Sequence, residues 1–380
     1  MTFRNVLFQL HLWTGLTLGL LFALLGLSGS ALVYHDDMLA FAQAPAPKAT
    51  AIGVALPLDV LLAAAREKTS YAGLSTTLTL PQAKGEPAAF RFQNAATRKA
   101  TDVYVDPASA VVLGAHPSAN DSVFRLMHDL HGRFFVPGRE GRQLVGWLGV
   151  AMLLLGLSGS ILWWPRRDQW TGAFTVRRNA RGYWLHRDLH GAAGIWGLIV
   201  FVIVSFTGVA IAFPVSTRSL VSFGQADPAP TPSFNARTGP AVTPIKGANP
   251  IGLDQAAALV KAHLPNADIT TIAIPAKPDA AWRITLGTQK NGPVTVAFVD
   301  PWRNKIAAIR DGGANSADRF MAWQRPLHVG DGWGGLWRFL VFLSGLLPAL
   351  FLFTGAAMWL KKRKARVRVL PSAARESVDA

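Results

Sequence analysis

Four long apolar runs govern what this chain can fold into: Val6–Tyr34, Leu144–Trp164, Gly191–Phe213 and Leu336–Leu360. Each reaches about 20 residues, the length of helix that crosses a hydrocarbon core of roughly 30 Å. No water is present in that layer to satisfy backbone N–H and C=O groups, so each run is expected to be a membrane-spanning helix. Composition agrees, with 50% hydrophobic and only 16% charged residues among 380. The first run follows Arg4 as a signal peptide would. It is too long for a signal core, and "LSGSALVYHDD" makes an indifferent cleavage site, so it reads as a retained helix.

A net charge of +16 could mark a nucleic-acid binder, but the placement of the basic residues argues otherwise. Arg166, Arg167, Arg177, Arg178, Arg181 and Arg187 lie between the second and third runs, and "KKRKARVR" follows the fourth. Basic residues collect on the cytoplasmic side of membranes. Both termini are therefore expected in the cytoplasm, the lipid bilayer is the partner of the basic residues, and no nucleic acid is implied. The two long segments between runs then lie outside, in the periplasm if the membrane is a bacterial inner membrane.

The chain also repeats itself. "LHLWTGLTLG" at Leu10–Gly19 aligns with "LHGAAGIWGL" at Leu189–Leu198, and "LSGSAL" around Gly29 with "FTGVAI" around Gly208. "PLDVLLAAA" answers "GLDQAAALV", "TTLTLP" answers "TTIAIP", and "VDP" occurs at Val105 and at Val299. "FRLMHDLHGR" aligns with "FMAWQRPLHVG", and "LSGSILWWPRR" with "FTGAAMWLKKR". Each half starts and ends inside, so the repeat is parallel, about a pseudo-two-fold axis along the membrane normal. The expected fold is an α-helical membrane protein, a four-helix transmembrane bundle with two small external α+β modules.

The expected order is helix 1 in residues 1–35, module 1 in 36–130, a juxtamembrane segment and helix 2 in 131–165, and a basic cytoplasmic loop in 166–189. Helix 3 follows in 190–213, module 2 in 214–327, a juxtamembrane segment and helix 4 in 328–361, and a basic tail in 362–380. Within each module an amphipathic helix (Leu58–Glu67; Leu253–His263) precedes alternating strand segments such as "AAFRFQ" and "VTVAFVD". Pro-rich "APAPK" and "DPAPTPSF" lead into the modules as linkers.

Of nine histidines, only some obey the repeat. His11 matches His190 near the cytoplasmic ends of helices 1 and 3, and His131 matches His328 just before helices 2 and 4. The pseudo-symmetry places two facing pairs across the membrane. A histidine near a helix end is ordinarily an interfacial hydrogen-bonding residue, and that reading stands for the unmatched His35, His116 and His263. Polar residues converging inside apolar helices are instead candidates for function. Zinc asks for three or four close ligands, and bundle iron sites ask for inward carboxylates. The spans supply essentially no acid. Two imidazoles suit the axial positions of a haem, and with no cysteine the cofactor must be held non-covalently. Gly15, Gly19, Gly191, Ala192, Ala193 and Gly194 beside the ligands leave room for a flat macrocycle, although small residues also serve ordinary helix packing. His128 and His186, without counterparts, form a second tier that could replace a neighbour as ligand or bind a propionate.

The repeated helix–module–helix plan, with "LHLWTGL" at the start and "LHG" before later helices, resembles the PepSY-associated transmembrane (PepSY-TM) family over roughly residues 1–364. The resemblance implies PepSY-like periplasmic modules, two b-type haems held by His11, His190, His131 and His328, and reduction of ferric siderophore, suspected to be of hydroxamate type. An electron would enter at the His11–His190 level, move to the His131–His328 level, and reach the external ferric chelate. Reduction to Fe(II) weakens the grip of hard oxygen donors. Arg125, Arg133, Arg139, Arg142, Arg325 and Arg338 could pair with propionates or draw an anionic substrate, or anchor at headgroups. Trp302, Trp323 and Trp333 could form a substrate platform or pack at the interface. Pro165–Tyr183 is far too short for a nucleotide domain, so a quinol or a separate reductase must supply electrons. Two rival readings are a non-enzymatic membrane anchor whose modules bind a periplasmic peptide or protein, and a permease. Four helices with no broken-helix pair argue against the permease.

Overall fold

The computed structural model describes residues 2–42, 46–51, 53–67, 74–94, 99–117, 123–223, 239–287 and 293–369. The expected linker "DPAPTPSF" and part of "APAPK" lie outside the described residues. The chain divides into two compact units. One comprises Met1–His35, Leu126–Val215 and Gln324–Ala380; the other comprises Asp36–Arg125 and Ser216–Trp323.

In the first unit four helices are long and apolar enough to cross a membrane: α1 (Phe3–Val33), α5 (Gly138–Trp163), α7 (Tyr183–Ala212) and α11 (Gly334–Val369). Helices α1 and α11 pack together, as do α11 and α7, α7 and α5, and α5 and α1. That order makes α1 and α7 diagonal partners. Close approach follows from small residues: Gly26 and Gly345 meet at the α1–α11 contact, and Ser30 Oγ donates to the Phe342 carbonyl at 2.7 Å. Helix α7 begins at Tyr183, well before the apolar run at Gly191. The extra turns are polar and held: Asp188 pairs with Arg177 at 2.7 Å, and Arg177 and Arg187 lie over the Trp184 ring. Short helices α4 (Val123–Arg133) and α10 (Ser316–Val329) lead into α5 and α11, and α6 (Trp170–Ala173) lies between α5 and α7.

The second unit holds α2 (His35–Ala42), α3 (Leu58–Glu67), α8 (Pro214–Val221), α9 (Leu253–His263) and eight strands. These are β1 (Ser75–Thr79), β2 (Ala88–Gln93), β3 (Ala100–Val105), β4 (Val112–Pro117), β5 (Ile269–Ile274), β6 (Trp282–Leu286), β7 (Thr295–Asp300) and β8 (Lys305–Asp311). Where two separate modules were expected, the strands form one antiparallel sheet in the order β4-β3-β2-β1-β5-β6-β7-β8. The join is β1 against β5, pairing Thr76 with Ile274 and Thr79 with Thr271, so "TTLTLP" lies beside "TTIAIP". Outward from that join each half is a four-strand meander, and both outer pairs carry a register shift, at Tyr104/Val105 and at Phe298/Val299.

Alternation puts Phe90, Phe92, Val103, Val105, Ile272 and Ile284 on one face, covered by Leu61 and Ala65 of α3 and by Ala256 and Val260 of α9. Full burial of such a side chain contributes about 1.5–3 kcal/mol. The helices interlock at their N-termini. Asp59 accepts from the N–H groups of Leu253 (2.7 Å) and Asp254, while Asp254 accepts from those of Leu58 (2.8 Å) and Asp59. Each acid satisfies the orphan donors of the other helix. The two "VDP" segments make matching turns, with Asp106 accepting from Ala108 N–H and Asp300 from Trp302 N–H.

Candidate functional site

The four repeat-matched histidines come together in two pairs within the first unit. His11 of α1 and His190 of α7 meet across the bundle diagonal with ring centres 6.4 Å apart. His131 of α4 and His328 of α10 meet with ring centres 5.9 Å apart. His11 precedes Leu25, where His131 docks, by about 21 Å of helix at 1.5 Å per residue, and the same rise separates His190 from Val204, where His328 docks. The pairs therefore sit near opposite ends of the bundle.

Every one of these rings is held through Nδ1. His131 donates to the Leu25 carbonyl at 2.9 Å, and His328 donates to the Val204 carbonyl at 3.0 Å. A carbonyl only accepts, so in the neutral ring the Nδ1 atom carries the hydrogen and Nε2 the lone pair. His11 Nδ1 meets Ser158 Oγ at 2.9 Å, and His190 Nδ1 meets Thr354 Oγ1 at 2.8 Å. Those hydroxyls direct their own hydrogens at the Leu155 and Leu350 carbonyls, leaving the oxygens to accept from the rings. Thr207 acts likewise, donating to Ile203 while its oxygen lies 3.1 Å from His328 Nδ1. All four Nε2 atoms are thus lone-pair donors, the form a metal takes, oriented by an outer hydrogen bond.

A feature missed in sequence explains the seating of the rings. Each spanning helix carries a Ser–Gly or Thr–Gly pair that meets a histidine: Ser28–Gly29, Ser158–Gly159, Thr207–Gly208 and Thr354–Gly355. Each glycine faces one histidine. A Cβ on Gly29 would lie 2.7 Å from His131 Cε1, on Gly208 3.0 Å from His328 Cε1, on Gly159 3.3 Å from His11 Cε1, and on Gly355 3.8 Å from His190 Cε1. The signal was present, because these motifs are the repeat matches "LSGS" and "FTG".

The second-tier residues stand apart. His186 lies one turn before His190 with its ring edge-on to Phe353 at 5.6 Å, and its buried Nδ1 has no hydrogen-bond partner among the described residues. His128 is exposed on α4. Of the candidate arginines, Arg338 donates twice to the Val33 carbonyl and lies over the Tyr34 ring at 4.7 Å, and Arg133 pairs with Asp129. Trp302 donates to the Pro278 carbonyl beside the smaller sheet cluster, and Trp333 packs on Trp337. His263 is bonded to its own helix at Leu259, and His116 lies beside Tyr104.

Among the described residues no group of three or more His, Cys, Asp or Glu could hold a bare metal ion. Two-ligand pairs do fit a porphyrin. Metal–imidazole bonds of about 2 Å on each side, with about 1.2 Å more from nitrogen to ring centre, separate centroids by roughly 6.4 Å. The His11–His190 separation of 6.4 Å equals that spacing, and the His131–His328 separation of 5.9 Å is shorter than it.

Comparison with known proteins adds the family. The description "PepSY-associated TM region" matches residues 8–362. An uncharacterized protein of Pseudomonas aeruginosa is 30% identical over 265 residues, covering 64% of this chain and 66% of its own length. The matched part thus spans just under two thirds of that relative. With its four apolar helices and a match over nearly its whole length, the chain belongs to the PepSY-associated TM region family and is a membrane protein.

Proposed function

We propose that this protein is a di-haem transmembrane electron conduit that reduces ferric siderophore at the periplasmic face of a bacterial inner membrane, releasing Fe(II). The observation that carries this reading is the pairing of four histidines, each with Nδ1 engaged and Nε2 directed by that engagement. Bound haem supplies a one-electron Fe(III)/Fe(II) couple at each pair. His11 and His190 would hold one haem, and His131 and His328 the other. Ser158, Thr354 and the carbonyls of Leu25 and Val204 fix the tautomer of those ligands. Gly29, Gly159, Gly208 and Gly355 keep the flanks of the rings clear. The apolar helices exclude water from both sites.

Orientation rests on charge. The basic residues of Arg166–Arg181 and Lys361–Lys364 support a cytoplasmic position for one end of the bundle, which makes His11–His190 the inner pair and His131–His328 the outer in this reading. The two halves read as a parallel internal repeat with PepSY-like modules, supported by the strand order about β1–β5. The chain also resembles FoxB, a ferrioxamine reductase of the bacterial inner membrane, which favours a hydroxamate chelate as substrate. A quinol or a separate reductase serves as donor. The alternative, a membrane anchor that binds a periplasmic peptide, draws on β4 and β8, the edge strands of the sheet among the described residues.

Purified protein reduced with dithionite, freed of excess reductant and mixed anaerobically with ferrioxamine and an Fe(II) trap tests the substrate. Trapped Fe(II) with matching reoxidation of the protein is expected. Protein that stays reduced beside intact ferrioxamine overturns it.

A further inference from the structure

The two histidine pairs are held by chemically different acceptors. The outer rings donate to main-chain carbonyls, Leu25 for His131 and Val204 for His328. The inner rings donate to side-chain hydroxyls, Ser158 for His11 and Thr354 for His190. A carbonyl is a fixed acceptor, and its pull on Nδ1–H raises the basicity of Nε2. A hydroxyl whose own hydrogen is given to a helix carbonyl accepts from the ring in the same way, but it is carried by a replaceable side chain. A more basic ligand favours Fe(III) and makes the iron a stronger reductant. The outer site faces a hard-oxygen Fe(III) chelate, where a stronger reductant is needed.

Building on the di-haem reading, we propose that Ser158 and Thr354 are positioning residues that set the ligand strength of His11 and His190, tuning the inner haem independently of the outer one. Each outer ring has a main-chain acceptor that no side-chain substitution removes, and Thr207 Oγ1 adds a second one to His328 alone. Thr207 marks the contrast: it also reaches His328, but His328 keeps the Val204 carbonyl without it.

The test is a spectroscopic redox titration of the full-length protein, resolving both haems, with Ser158→Ala, Thr354→Val, Thr354→Ser and Thr207→Val. Thr354→Val and Ser158→Ala are each expected to raise the reduced-to-oxidised ratio of the inner haem about threefold at fixed potential, roughly 28 mV at 59 mV per tenfold. The outer haem stays unmoved. Thr354→Ser keeps the hydroxyl and titrates as wild type, while Thr207→Val, which touches only His328, leaves the inner haem unmoved. Loss of the inner haem in Thr354→Val with retention in Thr354→Ser also supports the role. Two haems with unchanged potentials in Thr354→Val and Ser158→Ala overturn the proposal while leaving the di-haem reading intact. So does Thr354→Ser behaving as Thr354→Val. A wild-type protein that binds no haem overturns both.

Discussion

The imidazole of His131 lies 5.9 Å from that of His328, ring centre to ring centre, although 197 residues separate them in the chain (328 − 131). Gly29 and Gly208 back these two rings, with a would-be Cβ 2.7 and 3.0 Å from the nearest ring carbon. A methyl group at 2.7 Å cannot be accommodated without moving the ring. Under the di-haem proposal, Gly29→Ala is therefore expected to cost the haem at His131–His328, with Gly208→Ala less severe. Gly355→Ala, at an ordinary 3.8 Å, keeps both. Haem per chain, measured on purified variants, checks the order; equal loss in all three contradicts it.

Orientation can be read directly because the chain has no cysteine. Arg178, Lys84 and Lys305 are exposed sites for single substitutions. In intact spheroplasts a membrane-impermeant maleimide is expected to label Lys84→Cys and Lys305→Cys but not Arg178→Cys, which reacts only after permeabilisation. The reverse pattern would place the basic loop outside.

The crossed acids of α3 and α9 should be felt in stability. Removing an N-cap acceptor costs about 1 kcal/mol, within roughly 0.5–2. Asp59→Ala and Asp254→Ala are each expected to destabilise the sheet unit by that order. The double variant should fall short of the sum, because the two acids cap facing helices. Pulse proteolysis of the full-length protein across a urea series measures this.

Asp106 links the sheet unit to pH. The N–H groups of Ala51, Ala108, Ser109 and Thr50 donate to its carboxylate and hold it below its ordinary value of 3.8, against the opposing effect of burial. A carboxyl depressed in the folded state contributes stability that is complete above the ordinary value. That contribution is lost as pH falls through the folded-state value. Asp106→Asn is expected to be less stable at neutral pH and to lose part of the acid-side decline. An unchanged acid limb would show that Asp106 is not its source.

Much of this was legible in the residues because short segments of the two halves match one another. Matching "LHLW" to "LHGA" and "DLHG" to "PLHV" singled out His11, His190, His131 and His328, and the structure brings those four into pairs. The roles of Ser158 and Thr354 were not legible. Their motifs were visible as repeat matches, but which helix each one faces depends on packing between segments more than 100 residues apart. The single sheet was hidden for the same reason. Strands β1 and β5 each show a strand pattern, yet nothing local to Thr76 says that its partner is Ile274. The early start of α7 at Tyr183 escaped an apolar criterion, since Arg187 and Asp188 interrupt hydrophobicity without interrupting the helix.

Haem stoichiometry bears most directly on the conduit. Purified protein expressed with added haem should show a Soret band, a sharp reduced α-band, and about two haems per chain by pyridine haemochrome. His11→Ala and His328→Ala should each retain one haem, with different spectra and potentials. A colourless wild-type preparation would contradict the conduit outright, and two haems retained in both variants would contradict the assignment of these histidines.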